Sequence, residues 1–288
     1  MKIIECSPFF KETMLAKVHV QESSRWVDEF HIVEANRSHQ NTPKEYCFDS
    51  RLTSQYPKVH YHPVDVSRLF KPKRRYMPNI ALNLLRSGRG VFFNSAWYNE
   101  GVQRNLSRTF LDFRDDDILV FSDFDEIIDS RIADQLISEV KKRDIITVRL
   151  HQTFFYFNLL CNRMDGHVVP DWSYRVVLLK GSVFRRVWKS DIDWLRKQSE
   201  RGHLLEQVFC PEGYHGFHHT FLGDKNAVSQ KLAAYAHTEL SHLNTLEYIE
   251  TCIREKRSVY GQSLDIDNSI PLLSSVETLR SELPDFFV

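Results

Sequence analysis

The sequence predicts an α/β protein built on an open, mostly parallel sheet with additions. Short apolar runs typical of strands alternate with segments of helical period through the first half of the chain, as in βαβ units. The run Ile118–Phe121 contains no polar residue, as expected of a parallel strand that is covered on both faces. The second half is richer in aromatic residues and less regular, so we expect it to carry the additions.

The predicted elements follow from local patterns. Strands are predicted at residues 3–6, 30–35, 59–64, 118–121, 145–150 and 174–179. Helices are predicted at residues 12–23, 100–113, 227–236 and 246–255, and a further helix is predicted to begin with Ser130 as its cap. Residues 210–221 are predicted to be irregular. Ligands of open α/β sheets bind at the carboxyl ends of the strands, so we expect a crevice there.

The bulk composition limits the classes of partner. A chain of 288 residues is close to the largest size of a single core, so we predict one domain over residues 1–288. Lys plus Arg and Asp plus Glu both number 38, so no overall field would attract nucleic acid or an anionic membrane. No apolar run approaches about 18 residues, which predicts that no segment spans a membrane.

The cysteines and the N-terminal residues indicate the compartment. The five cysteines are far apart and odd in number, which fits neither a disulfide framework nor paired zinc-ligand spacing. A glutamate and Pro8 interrupt the N-terminal segment before an apolar signal region can form. We therefore expect reduced thiols and a cytoplasmic protein.

An acidic motif follows the most buried predicted strand. In Ser122-Asp123-Phe124-Asp125-Glu126 the two aspartates are two residues apart, so in extended backbone their carboxylates project to the same side. Carboxylate oxygens suit Mg²⁺ and Mn²⁺, which keep positions open for phosphate oxygens. The motif predicts a metal ion that bridges the diphosphate of a ligand.

The acidic motif also has three other interpretations. Aspartates are common in turns and can simply cap the following helix. Asp123 could be the nucleophile of a phosphatase or phosphotransferase, but that motif has a small Thr or Val where this chain has Ile127. A third interpretation is that the chain is a non-catalytic module that binds a sugar nucleotide or a glycan. Such a module would tolerate loss of the two aspartates.

Five short motifs occur along the chain in a fixed order. They are residues 6–12, residues 27–36 followed by Pro43-Lys44, residues 103–105 with 116–127, the triplet Gly216-Phe217-His218, and Lys231-Leu232 with residues 236–239. In this order they resemble glycosyltransferase family 17, whose best-known member adds the bisecting N-acetylglucosamine to the β-mannose of N-glycans. The resemblance extends from the first strand to about Gly261. Because several motifs keep one order, chance agreement is a poor explanation.

The resemblance implies a GT-A type fold, a UDP-N-acetylglucosamine donor and inversion at the anomeric carbon. It implies that residues 1–150 bind donor and metal and that residues 151–288 bind the acceptor. Asp125 would bind Mn²⁺ or Mg²⁺ directly, Asp123 would hold the ribose or a metal-bound water, and His218 would complete the metal shell. Without a membrane anchor, the acceptor is expected to be a hydroxyl of a bacterial or viral glycan.

Several further residues are candidates for the donor site. Glu34 and Asn36 would lie near the uridine, although Glu34 could instead pair with a buried arginine and Asn36 could cap a turn. Arg104 could neutralise the diphosphate, remain solvated or pair with Asp116. Asn105 belongs to the same motif, and Lys231 could contact phosphate.

Inversion requires a base that takes the proton of the acceptor hydroxyl. Glu126 adjoins the metal motif, and Asp171, Asp193 and Glu206 lie in the half expected to hold the acceptor. No spacing argument selects one of them.

Overall fold

The structure is a computed structural model of the 288-residue chain. It describes residues 1–71, 95–164, 167–168, 174–200, 208–234, 236 and 238–288.

Strands account for most of the scaffold in these ranges. In chain order they are β1 (Ile3–Phe9), β2 (Glu29–Ala35), β3 (Val59–Val64), β4 (Ile118–Phe121), β5 (Glu126–Ile128), β6 (Ile145–Arg149), β7 (His151–Phe154), β8 (Leu160–Met164), β9 (His167–Val168), β10 (Tyr174–Lys180), β11 (Gly216–Thr220) and β12 (Ser263–Asp265). The six predicted strands all occur, each within a few residues of its predicted bounds.

The central sheet has the strand order β3-β2-β1-β4-β10-β6. Strands β1 to β4 pair in parallel, whereas β10 is antiparallel to both β4 and β6. The predicted α/β class, with a mostly parallel central sheet flanked by helices, is confirmed by this topology.

A second sheet has the order β12-β8-β7-β11-β5, with β9 paired to β8. Strand β11 pairs in parallel with β7 and antiparallel with β5, and His218 lies directly opposite Glu126. Residues 210–221 were predicted to be irregular, which is wrong for β11. Its partners are distant in sequence, so no local pattern marks it as a strand.

The helices cover both sheets. They are α1 (Thr13–Ser23), α2 (Arg51–Gln55), α3 (Ser95–Leu106), α4 (Ala133–Arg143), α5 (Gly181–Arg186), α6 (Ile192–Glu200), α7 (Lys225–Ala234), α8 (Leu246–Arg254) and α9 (Ser274–Leu279). Helix α3 ends earlier than predicted and continues as a 3-10 turn, Ser107–Phe110. The predicted cap Ser130 is also corrected, because Asp129 accepts the hydrogen bond from the Arg131 amide at 2.9 Å.

The central sheet is buried on both faces, which explains the unbroken apolar run of β4. Leu119 and Phe121 pack with α5 and α6 on one face, whereas Ile118 and Val120 pack with α1 and α4 on the other. All four residues are at most 1% exposed. Burial of about 1.5–3 kcal/mol per large apolar side chain fixes β4, and with it the start of the acidic motif.

All five cysteines are unpaired in the structure. Within the described ranges, no helix combines the length and the apolar character needed to cross a bilayer.

We predict that Gly216→Ala is strongly destabilising, because Gly216 opens β11 with φ +150 and an added Cβ would lie 2.0 Å from the Ile127 carbonyl oxygen. We expect the free energy of unfolding to fall by about 3 kcal/mol or more. Gly213→Ala is the matched control, since its φ is +94 but no atom lies within 4 Å of the added Cβ. That change should cost only about 1 kcal/mol. Equal losses in chemical denaturation would contradict the steric argument.

Candidate functional site

The acidic motif lies at the carboxyl edge of the central sheet, directly after β4. The Ser122 hydroxyl lies 2.6 Å from the Ser7 hydroxyl of β1, so the motif is tied to the neighbouring strand. The Asp125 carbonyl oxygen accepts a hydrogen bond from the His219 amide of β11 at 2.8 Å. The two sheets therefore meet at Asp125.

Asp123 is held by two arginines. Arg104 of α3 donates from Nε and Nη2 to the two carboxylate oxygens at 3.2 and 2.7 Å. Arg196 of α6 lies 3.2 Å from Asp123 Oδ2. Burial alone would raise the pKa of Asp123, but the two guanidinium charges lower it below its usual value. Asp123 is therefore a fixed anion that orders its surroundings.

Asp125 has different cationic neighbours. Lys231 Nζ of α7 donates to Asp125 Oδ2 at 2.6 Å, and His218 Nε2 of β11 lies 3.5 Å from Oδ1. Burial would raise the pKa of Asp125, yet the charges of Lys231 and His218 lower it well below its usual value. The Lys231 ammonium also lies 3.4 Å from Glu12 Oε1, and both carboxylates raise its pKa against the opposing effect of burial.

The predicted metal ligands are brought together only in part. Asp125 and His218 are neighbours, and a separation of 3.5 Å fits two adjacent ligands of one divalent ion, since such ligands at about 2.1 Å from the ion lie about 3 Å apart. Asp123 is turned to its arginines, and the three side chains do not form a ligand group within 4.8 Å. Asp125 and His218 thus fit a metal ion, and Asp123 fits a supporting role.

Glu126, one of the base candidates, is enclosed by other groups of the protein. Its side chain is 0% exposed, its Oε2 accepts from the Asp123 amide at 2.8 Å, and it pairs with Arg196 at 2.8 Å. An acceptor hydroxyl cannot reach it. Asp193 is also engaged, because Lys197 donates to it at 2.5 Å and Arg104 lies 3.5 Å away. Asp171 and Glu206 lie outside the described residues.

Glu34, expected to lie near the uridine, makes its contacts within the protein. Its buried carboxylate accepts from the Lys44 ammonium, from the amides of Cys47 and Phe48 at 2.9 and 3.1 Å, and from the Tyr61 hydroxyl at 2.7 Å. These donors satisfy both oxygens, so Glu34 holds the loop that follows β2 and has no acceptor capacity left for a ligand.

The two asparagines expected at the donor site, Asn36 and Asn105, also make contacts within the protein. Asn36 donates to Asp65 at 2.9 Å and accepts from the Val66 amide at 3.0 Å, which is the turn-capping alternative. Asn105 Oδ1 accepts from the Ile192 amide at 2.7 Å and thereby binds the first turn of α6. Arg104 pairs with Asp123. The sequence had suggested that Arg104 neutralises the diphosphate, is solvated or pairs with Asp116, and the contact with Asp123 is none of these.

A cavity of about 500 Å³ opens beside Lys231. Its lining includes three carboxylates, on Glu12, Asp224 and Asp285, together with apolar side chains such as Phe10 and Leu222. This volume lies within the usual range for small-molecule sites, and mixed apolar and carboxylate walls suit a sugar. The site therefore combines an anion-compensating cluster with a cavity of ligand size.

Arg196 and Glu12 are site residues that the sequence did not single out. Arg196 lies on an amphipathic helix, where an arginine usually faces solvent, and only the tertiary fold buries it to 1% exposure. Glu12 belongs to the first family-like motif, Cys6 to Glu12, and that motif was the signal available for it.

Comparisons with known proteins give only distant structural likenesses. No protein-family model and no curated protein sequence matches the chain. Among solved structures it is similar to S. aureus TarS 1-349, with TM-score 0.42 and 9% identity over 83% of this chain and 65% of that one. The complex of TarS 1-349 with UDP-GlcNAc gives TM-score 0.43, 8% identity and coverages of 83% and 66%. A 4-diphosphocytidyl-2C-methyl-D-erythritol synthase gives TM-score 0.33 and 14% identity over 67% and 84%.

The chain thus spans just under two thirds of the length of TarS 1-349. Such low identities do not transfer a substrate or a site residue, so the assignment of the site depends on the geometry described above.

We predict that Arg196→Met destabilises the protein by about 3–5 kcal/mol, because the Glu126 carboxylate would stay buried and lose the charge of Arg196. The double variant Arg196→Met with Glu126→Gln should recover much of this loss, since Gln is neutral and can still accept from the Asp123 amide. Arg254→Met is the control, because Arg254 is 68% exposed and little change is expected there. A melting temperature unchanged by Arg196→Met would show that the ion pair is not structural.

Proposed function

We propose that this chain is an inverting, metal-dependent glycosyltransferase that moves N-acetylglucosamine, or a related sugar, from a UDP-sugar to a hydroxyl of a glycan. The observation that carries the proposal is the cluster of Asp125, Lys231 and His218 beside a cavity of about 500 Å³ at the carboxyl edge of the sheet. Open α/β sheets bind nucleotides at this edge. All three residues lie in the ordered motifs that resemble family 17.

The reaction requires positive groups that neutralise the negative charge developing on the departing diphosphate. The acceptor oxygen forms a bond to the anomeric carbon, the bond from that carbon to the diphosphate oxygen breaks, and UDP leaves with the electron pair. Lys231 is positioned to neutralise the diphosphate, since it lies on the cavity wall and keeps its positive charge at neutral pH. A divalent ion held by Asp125 and His218 would supply further positive charge at the same oxygens.

The acceptor hydroxyl must lose a proton during this displacement. Glu12, Asp224 and Asp285 are the described carboxylates on the cavity wall. Asp224 also accepts from the amides of Asn226 and Ala227 at 3.1 and 2.9 Å, the start of α7. Glu12 accepts from the amides of Phe10 and Lys11 at 3.1 and 3.0 Å. Asp285 is the exposed member of the three, and we propose it as the group that takes the proton.

The phosphatase alternative is disfavoured by the surroundings of Asp123. A nucleophilic aspartate needs a free oxygen aimed at phosphorus, whereas both oxygens of Asp123 accept from Arg104 and one also faces Arg196. These contacts stabilise the carboxylate and lower its nucleophilicity.

We predict distinct losses of UDP release when UDP-N-acetylglucosamine and Mn²⁺ are supplied to three variants. Asp125→Asn should lower turnover at least about 100-fold, because a group that binds the ion directly should exceed the usual 10–100-fold cost of a supporting group. His218→Ala should lower turnover at least about tenfold and raise the Mn²⁺ concentration needed for half-maximal rate. Lys231→Met should lower turnover about 100-fold. It should raise the Mn²⁺ concentration needed for half-maximal rate less than His218→Ala does.

Lys225→Met is the matched control on the same helix, since Lys225 is 38% exposed and pairs with Glu250 outside the cavity. Its rate should equal that of the unmodified chain. All variants are first checked for folding by circular dichroism. Full activity of a folded Asp125→Asn protein, or activity with phosphomonoesters that depends on Asp123, would overturn the proposed function.

A further inference from the structure

A second group of metal-ligating side chains lies away from the acidic motif, where β2 and β3 begin. Glu29 is the first residue of β2, and His31 lies directly opposite His60 of β3 in the parallel register. The alternation of a strand places Glu29 and His31 on one face. In the part of the chain that the structure describes, this is the one group of three such residues whose ligand atoms all lie within 4.8 Å of each other.

The distances suit a single ion. His31 Nε2 lies 3.2 Å from Glu29 Oε2, and the His31 and His60 rings lie 4.9 Å apart at an interplanar angle of 29°. Two ligands bound tetrahedrally to zinc at about 2.0–2.2 Å are separated by about 3.4 Å. Rotation of the exposed His60 side chain closes the remaining gap, while His31 is only 6% exposed and keeps its position.

A neighbouring histidine orients the buried ligand. His31 Nδ1 lies 3.0 Å from His62 Nε2, and the His62 ring stacks on Phe110 at 4.1 Å and 14°. When His31 donates its Nδ1 proton to His62, the lone pair of His31 Nε2 faces Glu29 and the solvent-accessible side of the group. Metal-binding histidines typically have such a partner for their second nitrogen.

An ion would reach this group through His60, which is exposed on the edge strand of the sheet.

The charge of Lys2 opposes the binding of an ion at Glu29. Its ammonium lies 2.6 Å from Glu29 Oε1, so it compensates the negative charge when no ion is bound. An ion on Oε2 leaves this contact in place but is repelled by the ammonium charge. Removal of the Lys2 charge should therefore increase the affinity for the ion. If the group binds no ion, the same change would only remove the ion pair between Lys2 and Glu29.

We propose that Glu29, His31 and His60 bind one Zn²⁺ ion or a similar divalent transition-metal ion, with the fourth position open to water. Two histidines and one glutamate are an established zinc ligand set, and imidazole selects such metals over Mg²⁺. This site shares no residue with the cluster of Asp125, Lys231 and His218, so it does not depend on the proposed glycosyltransferase function.

The test is calorimetric titration of the full chain with Zn²⁺ at pH 7.5, in a His218→Ala background so that the acidic motif contributes little. One Zn²⁺ should bind, and His60→Ala or Glu29→Gln should weaken it at least about tenfold. Lys2→Met should strengthen it severalfold. Because His31 is buried and its substitution could impair folding, the exposed His60 and the half-buried Glu29 carry the test.

His242→Ala is the matched control, since His242 is an exposed histidine in another part of the chain. It should bind Zn²⁺ as the background protein does. A cobalt titration gives a second readout, because a tetrahedral Co²⁺ site absorbs in the visible range and the His60→Ala protein should lose that band. Unchanged Zn²⁺ affinity in folded His60→Ala, or no binding below about 100 μM, would overturn the proposal.

Discussion

Asp123 and Asp125 place two negative charges two residues apart at the carboxyl edge of a buried sheet, and the fold must compensate both. Two arginines from α3 and α6 hold Asp123, and Lys231 of α7 with His218 of β11 hold Asp125. Elements from all parts of the described chain therefore converge on one motif. Because an uncompensated buried carboxylate is very costly, these ion pairs fix the positions of the helices around the site.

The division of roles between the two aspartates follows from their partners. The arginines saturate Asp123 and connect it through Arg196 to the buried Glu126, so this side of the motif is rigid. The partners of Asp125 are Lys231, which lines the cavity, and His218. A lysine and a histidine can exchange a carboxylate for a phosphate or a metal ion. The rigid contacts of Asp123 thus hold Asp125 in position, and the partners of Asp125 can change when a ligand binds.

Much of the scaffold could be predicted from the sequence, because β1 to β4, α1 and α4 have strong local periodicity and an unbroken buried strand precedes the motif. Long-range contacts could not be predicted. Glu34, Asn36 and Asn105 carry polar groups typical of ligand sites, yet their partners are loops and helix ends brought near by the fold. Strand β11 and the burial of Arg196 likewise depend on elements distant in sequence.

The most direct test of the central claim is the affinity of UDP, measured by calorimetry with Mn²⁺ and again with excess EDTA. The cluster of Asp125, Lys231 and His218 has one carboxylate to compensate already, so it cannot neutralise a diphosphate fully without an added cation. We expect chelation to weaken UDP binding at least about tenfold, and Asp125→Asn to abolish the difference between the two conditions. Equal UDP affinity with Mn²⁺ and with EDTA would contradict a metal-assisted diphosphate site at the acidic motif.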